Sequence, residues 1–466
     1  MYDFGLVGLG VMGRNFILNV ADNGFKAFGN DLDTEKVNAL IEEGGDTTRV
    51  NATTEVKTFV DALSRPRKIM LLVPAGNVVD IVIENLLPFL EKDDIIIDGG
   101  NSFFTDTDRR EAYLQEKGIH FFGAGVSGGA KGARLGPSIM PGGNREAYQH
   151  VKPIFEAVSA KYLDEPCVAY LGPKSAGNYV KMVHNGIEYG LMQLTSEIYD
   201  LLKKGGDYSN NLLHQTYAKW NSGRLKSFLV EITAEIFEQK DDLGDGDLID
   251  KILDKAKQKG TGKWTSQNAM DLGIPVPSID IAVSMREISA LKDERARADE
   301  LYERPEVVLM EKARLGGLAE KALFFSFIVT YAQGLHQLKD ASKEYGYELD
   351  MGEIAKIWRA GCIIRAGLLG DIMQAFQEDS SLQNLLLSPR FVEKVKSTVD
   401  AARELVVYAA QNGIPTPGLS NSLTYFDAYT SSRLPLNLIQ AQRDYFGSHT
   451  YERLDREGIF HTEWEK

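Results

Sequence analysis

Cysteine is nearly absent from this chain: its 466 residues include two, Cys167 and Cys362. They lie far apart and form no CxxC, which excludes a disulfide scaffold and a thiolate metal site and fits a reducing, cytoplasmic setting. The seven histidines include no HExxH pair, so no metal is expected. No run of about 18 apolar residues occurs, so the sequence predicts no membrane span. The opening MYDFGLVGLG has neither a basic region nor a cleavable apolar stretch, so no secretory signal is read. Positive charge is in short supply: 52 Lys and Arg face 66 Asp and Glu, a net charge of −14. That balance argues against nucleic acid or an anionic membrane as partner. An anionic small molecule would need a local cationic pocket built against this field. Apolar and charged fractions are ordinary for a globular protein, and the length predicts two or three domains.

The first 125 residues alternate short apolar runs with amphipathic stretches. DFGLVGLG, KAFGND, KIMLLVP, DIIIDGG and IHFFGAGVSGG read as strands, and GRNFILNVADNG and DIVIENLLPFLE as helices. This rhythm predicts a parallel, doubly wound sheet. From about residue 177 the pattern turns helical to about residue 430, followed by a polar, aromatic tail. The division expected is a Rossmann-type domain over 1–177, an all-helical domain over 178–434 and a C-terminal tail over 435–466.

Between the first strand and the first helix stands Gly8-Leu9-Gly10-Val11-Met12-Gly13. By itself this glycine pattern is an ordinary turn. Placed between strand and helix, it lets backbone N–H groups approach a pyrophosphate at the helix N-terminus. Asp31 follows the second strand, 18 residues after Gly13, where a carboxylate bonds the adenine ribose hydroxyls of NAD. The alternative for Asp31 is a solvated loop carboxylate, with Asp33 close by and Lys36 offsetting charge. The 2′-phosphate of NADP would face that carboxylate, and unit charges 4 Å apart repel by about 4 kcal/mol at an effective dielectric near 20. The expected cofactor is NAD, with NADP weaker.

In GNYVKMVHNGIEYGLMQL, Lys181, His184, Asn185 and Glu188 fall at i, i+3, i+4 and i+7, one face of a helix. Such a stripe is usually solvated. An internal repeat changes the reading. GIPVP (273–277) recurs as GIPTP (413–417), and GLMQL (190–194) as GLHQL (334–338). The second offset maps the four polar residues onto Phe325, Ile328, Val329 and Ala332. A face apolar in the second copy is expected to be buried in both, and a buried polar face demands partners or a task.

Three further segments carry polar chemistry. GAGVSGGAKGARLGPSIMPGG (123–143) reads as a glycine-rich loop after the last parallel strand; Ser127, Gly128 and Gly129 would hold a carboxylate there, or the stretch is a flexible connection. KQKGTGKW (257–264) fails the phosphate-loop spacing, yet Lys259 and Thr261 suit a substrate phosphate as well as a solvated turn. Arg286 sits in a charge-rich helix, and Arg443 and His449 in the tail; alone, none of the three stands out.

The motifs GLGVMGRN, IIDGGNS, GVSGGAKGARLGPSIMPGG, KMVHNGIEYG, QKGTGKW, WRAGCIIR and RDYFGSHTYER together resemble the decarboxylating 6-phosphogluconate dehydrogenase family over essentially the whole chain. KGTGKW with KMVHNGIEY is the specific part; GLGVMG and GVSGG are shared with wider β-hydroxyacid dehydrogenases. The resemblance implies oxidative decarboxylation of 6-phosphogluconate to ribulose 5-phosphate in the pentose phosphate pathway, by a cytoplasmic homodimer whose tails exchange. It implies Lys181 as general base and acid and Glu188 as second acid. Ser127, Gly128, Gly129, His184 and Asn185 would bind the substrate, with Tyr189, Lys259, Thr261, Arg286, Arg443 and His449 around its phosphate, the last two from the partner subunit. The cofactor shell implied is Gly8 to Gly13, Asn30, Asp31, Leu32, Val73, Pro74, Ala75 and Asn101.

Three departures from the family pattern matter. Its usual Asn-Arg-Ser/Thr reads Asn30-Asp31-Leu32 here, Pro74 replaces a common lysine, and Ala130-Lys131 stand where the loop is usually acidic. The first two predict an NAD-preferring member. Two alternatives stand beside this reading: a related NAD-dependent β-hydroxyacid dehydrogenase on another sugar acid, and a non-catalytic NAD-binding sensor.

Overall fold

The computed structural model describes residues 1–45, 48–258 and 260–464, so Lys259 lies outside the described residues. Seven strands form the main sheet: β1 Phe4–Val7, β2 Ala27–Asn30, β3 Val50–Thr53, β4 Lys68–Leu71, β5 Ile95–Asp98, β6 His120–Ser127 and β7 Ser138–Gly143. Their order is β3-β2-β1-β4-β5-β6-β7. β1 to β6 are parallel and β7 runs antiparallel to β6. FGLV and IIID are buried throughout, as expected where helices cover both faces. The chain leaves β1 for β2 on one side and returns to β4 on the other, so a crevice opens at the carboxyl end of β1.

All five expected strands are present, and two more join them. β3 (VNAT) is short and partly polar. β7 (SIMPGG) corrects the reading of 123–143 as a loop: that stretch is the end of β6, a helix Gly129–Leu135 and β7. Its glycines serve close approach rather than flexibility. A Cβ on Gly123 would collide with Asn178, and one on Gly125 with Lys181. The missing side chains therefore let the following long helix lie directly on β6.

That helix, Ala176–Gly206, packs on a second long helix, Lys312–Tyr345. Gly190 lies against Thr330 and Gly334 against Ile187, so the leading glycine of each GLxQL copy touches the other copy's helix. Helices Pro277–Ala290 and Pro417–Tyr429 begin at the two GIPxP copies. Their N-caps share a backbone conformation, Val276 at φ −128°, ψ 48° and Thr416 at φ −135°, ψ 53°. Ser278 and Ser422 join these helices through their hydroxyls at 3.0 Å. The duplicated helical unit is thus visible as paired elements.

Phe325, Ile328, Val329 and Ala332 are fully buried, and Lys181, His184 and Asn185 nearly so, while Glu188 is half-buried, so the expected burial holds for the apolar copy and for three of the four polar residues. Among the described residues, Lys312–Tyr345 is long and apolar enough to cross a membrane by length and composition, although the sequence reading found no such run. It is instead the mostly buried core of the helical region.

The tail contains a helix, Leu436–Gly447, and a small hairpin, Tyr451–Glu452 with Ile459–Phe460. It gathers on the buried Asp444, whose carboxylate accepts from Thr450 N, His461 Nδ1, Thr462 N and Trp464 Nε1 at 2.8–3.1 Å. The helix leaves Leu436, Leu438, Ile439, Tyr445 and Phe446 exposed.

Candidate active site

The crevice at the end of β1 contains a cavity of about 410 Å3. Gly8 holds φ +99°, and a Cβ there or at Gly13 would meet backbone. Nothing lies near a Cβ built on Gly10, so its backbone is open to a bound group. Gly8, Gly10, Asn30, Asp31, Leu32, Val73 and Pro74 line the cavity. Leu9 and Gly13 are buried beneath the turn, Met12 is half-buried, and Val11, Ala75 and Asn101 are exposed outside the cavity wall.

Asp31 stitches this site together. Its Oδ2 accepts from Leu9 N at 2.7 Å and its Oδ1 from Asp33 N at 3.0 Å. The cation in the cavity wall is Lys36, 3.6 Å from Asp31 and 3.7 Å from Asp33. Residue-type reasoning did not name the apolar wall of Val56, Val78, Ile81, Val82 and Leu86. Its signal lay in helix Asn77–Leu86, where Val78 and Ile81 stand exposed.

The second half of the site hangs on helix Ala176–Gly206. Lys181 Nζ donates to Asn185 Oδ1 at 2.8 Å. His184 Nδ1 lies 3.1 Å from the same oxygen and its Nε2 3.2 Å from Ser127 Oγ. Asn185 Nδ2 donates to Thr261 Oγ1 at 2.9 Å. An amide oxygen can only accept, so Asn185 Oδ1 is the acceptor shared by Lys181 and His184, and His184 carries its proton on Nδ1. Ser127 then donates to His184 Nε2 and accepts from Ile363 N at 3.3 Å.

Burial lowers the Lys181 pKa, partly opposed by the Glu188 carboxylate. It drives His184 well below the usual histidine range, with the nearby Lys181 charge adding to the effect. It raises Glu188, against the pull of Lys181 and Arg286. Desolvation favours the uncharged form in each case. A neutral amine and a protonated carboxylic acid are therefore both favoured, two turns apart on one helical face.

Thr261 opens helix Thr261–Leu272 behind Gly260 at φ +102°. Arg286 lies over the Tyr189 ring, 3.2 Å from its centroid. Gly128 holds φ +125°, and a Cβ there would strike the Gly361 carbonyl 2.5 Å away; Gly129 opens its helix with free space around it. Ala130 and Lys131 are exposed on that helix. Arg443 and His449 are not brought to this face within the chain: Arg443 donates to Gln440 and the His449 ring packs near Phe446. The motif WRAGCIIR, with Trp358, Gly361 and Ile363, carries no chemistry that its residue types reveal. Here Trp358 meets the His184 ring edge-on at 5.5 Å and Ile363 holds Ser127.

Among the described residues, no group of three or more His, Cys, Asp or Glu side chains could hold a metal ion. Fold and site together define a Rossmann-type dehydrogenase in which a helical domain closes a lysine–histidine–asparagine–glutamate face beside a dinucleotide crevice.

Comparison with known proteins narrows that class. The family model for the NAD binding domain of 6-phosphogluconate dehydrogenase matches residues 3–172, and that for the 6-phosphogluconate dehydrogenase C-terminal domain matches 177–464. The NADP(+)-dependent, decarboxylating 6-phosphogluconate dehydrogenase of Bacillus subtilis (strain 168) is 53% identical over 464 residues, covering 99% of both chains. The decarboxylating 6-phosphogluconate dehydrogenase of Escherichia coli (strain K12) is 51% identical over 462 residues, covering 99% of this chain and 98% of its own. The solved Plasmodium falciparum 6-phosphogluconate dehydrogenase, described as apo, with its cofactor NADP+ and with its substrate 6-phosphogluconate, superposes with a TM-score of 0.96. Its identity is 45%, over 99% of this chain and 100% of that one. The chain belongs to the 6-phosphogluconate dehydrogenase family.

Proposed function

We propose that this protein oxidatively decarboxylates 6-phosphogluconate to ribulose 5-phosphate and CO2, using NAD in preference to NADP. The observation that carries the reaction is the buried Lys181, bonded through Asn185 to Thr261 and sharing a helix face with the partly buried Glu188. The dinucleotide, when bound, supplies the hydride acceptor. Neutral Lys181 takes the proton of the C3 hydroxyl as hydride leaves C3, a role that its lowered pKa suits. Protonated Lys181 then donates to the C3 carbonyl oxygen, drawing off the electrons released when the C1 carboxylate departs as CO2. Glu188, kept protonated by burial, delivers a proton to the resulting enediol at the carbon that lost CO2, giving the ketose. Neutral Lys181 takes the proton of the C3 hydroxyl back as the carbonyl forms.

Ser127, Gly128, Gly129, His184 and Asn185 bind the sugar acid in this reading. Thr261 and Arg286, with Tyr189 and Lys259, surround its phosphate. Arg443 and His449 reach that phosphate from the partner subunit of a homodimer, a reading supported by the exposed apolar side chains of the tail helix.

The NAD preference rests on Asp31, Leu32 and Pro74. Among the described residues, the cation that lines the cavity for a 2′-phosphate is Lys36, already engaged by Asp31 and Asp33. The relatives named for their cofactor use NADP+, so the proposal sets this chain apart from them.

The reaction is tested by supplying 6-phosphogluconate and NAD and measuring CO2, NADH and ketopentose phosphate. Equimolar formation of all three is expected. NADH without CO2 would transfer the reading to a hydroxyacid dehydrogenase that does not decarboxylate.

A further inference from the structure

Helix Phe104–Gln115 carries a guanidinium that is 1% exposed, on Arg110. Four of its five N–H bonds have hydrogen-bond partners. Nε and Nη2 donate to the two oxygens of Asp80 at 2.9 and 3.0 Å, and Nη2 also to the Gly76 carbonyl at 3.0 Å. Nη1 donates to Ser102 Oγ at 3.3 Å and lies 3.7 Å from Asp98 Oδ2.

These partners belong to two loops. Gly76, at φ +92°, ends the loop after β4 and caps helix Asn77–Leu86. Ser102 lies in the turn after β5, which Asp98 begins by accepting from Gly100 N at 3.0 Å. One turn earlier on the same helix, Thr107 donates to Asn178 at 3.1 Å, and Asn178 is one turn ahead of Lys181. A single buried side chain thus clamps the two loops that flank the dinucleotide crevice, on a helix bonded to the one bearing Lys181.

A buried ion pair adds little net stability, because desolvation offsets its attraction. Asp80, which Arg110 keeps ionised below the usual carboxylate range, would be satisfied more cheaply at the surface. An apolar replacement would fill the volume, but it would release both Gly76 and Ser102.

We infer that Arg110 is a positioning residue for the dinucleotide: through Gly76 and Ser102 it sets the spacing between the loop 73–76 and the loop 99–102. This rests on the proposed reading of Val73, Pro74, Ala75 and Asn101 as cofactor contacts. The substrate face hangs on β6 and on helix Ala176–Gly206 through its own bonds, so the effect falls mainly on the dinucleotide.

The experiment compares wild type, Arg110→Lys, Arg110→Met and Asp80→Asn. NADH affinity is measured by fluorescence titration, and KM for 6-phosphogluconate at saturating dinucleotide, with circular dichroism as the folding check. Arg110→Lys keeps the charge but not the fork; it is expected to weaken NADH by about tenfold or more while the substrate KM moves less than about threefold. Unchanged NADH binding, or equal weakening of both ligands, overturns the inference. Asp80 is partly exposed, so Asp80→Asn decides the matter if the Arg110 variants do not fold. A weakening of NADH by about threefold without a matching loss for substrate is expected, since Asn keeps one acceptor but loses the charge, and no change overturns it. Wild type that binds no nicotinamide dinucleotide would instead sink the functional reading itself.

Discussion

Lys181 and Asn185 stand one helical turn apart, joined at 2.8 Å, and the amide that accepts from Lys181 donates on its other side to Thr261. The base of the proposed reaction is therefore tied to the start of the helix expected to meet the substrate phosphate. Asn185 has a fixed orientation, since its oxygen serves two donors and its nitrogen one acceptor.

The pH profile follows from the opposed shifts. Lys181 must be neutral and Glu188 protonated, so activity requires opposite titration of the two groups and the pH profile is bell-shaped, the lowered lysine and raised glutamate pKa values enlarging the active fraction. The two groups interact, so the limbs report the pair. Glu188→Gln is expected to abolish the alkaline limb and reduce kcat by about 10²–10⁴-fold. Lys181→Arg, permanently charged, is expected to lose at least as much, with KM for substrate changed little. Rates over pH 5–10 for the three proteins check this.

Glu197 makes a separate stability prediction. It is buried, accepts from Gly418 N and Leu419 N at the start of helix Pro417–Tyr429, and has its pKa raised from 4.5 to about 7 by burial. Between those values the folded state binds more protons than the unfolded chain, so stability falls as pH rises from about 4.5 to about 7 and then levels. The slope cannot exceed about 1.4 kcal/mol per pH unit. Glu197→Gln should flatten that decline, as read from Tm between pH 4.5 and 8. An equally steep decline in the variant would contradict the assignment.

Shared sites are tested by mixing two inactive variants. If Arg443 serves the partner's site, a heterodimer of Lys181→Met and Arg443→Ala contains one intact site. Random mixing of subunits should then recover about a quarter of wild-type activity, half the dimers being mixed and each having one good site. Recovery near zero would place Arg443 outside the neighbouring site.

Asp31→Asn keeps the oxygen that accepts from Leu9 N but removes the charge. NAD affinity should fall by about tenfold, as expected for a hydrogen bond to a charged group, and the disadvantage of NADP should narrow. Parallel KM measurements with both cofactors show whether the charge is the selector.

The sequence made the buried parallel strands readable because FGLV and IIID are continuous apolar runs. It concealed β7 because Pro141, Gly142 and Gly143 look like a loop, whereas Gly142 admits the start of the long helix, where a Cβ would strike Gly177 N. The polar face of Lys181, His184, Asn185 and Glu188 was legible from helical spacing and from its apolar counterpart in the repeat. The Ile363 N–H that holds Ser127 was not, since a backbone donor 236 residues away leaves no side-chain signature. The apolar crevice wall was hidden for a related reason: Val78 and Ile81 look like ordinary helix residues until the fold leaves them uncovered.

The most direct measurement is the initial rate with 6-phosphogluconate over full concentration ranges of NAD and of NADP at one fixed salt. With about 4 kcal/mol of repulsion between Asp31 and a 2′-phosphate partly offset by Lys36, kcat/KM is expected to favour NAD by about tenfold or more. A preference for NADP would contradict the account and make Lys36 the phosphate's ligand.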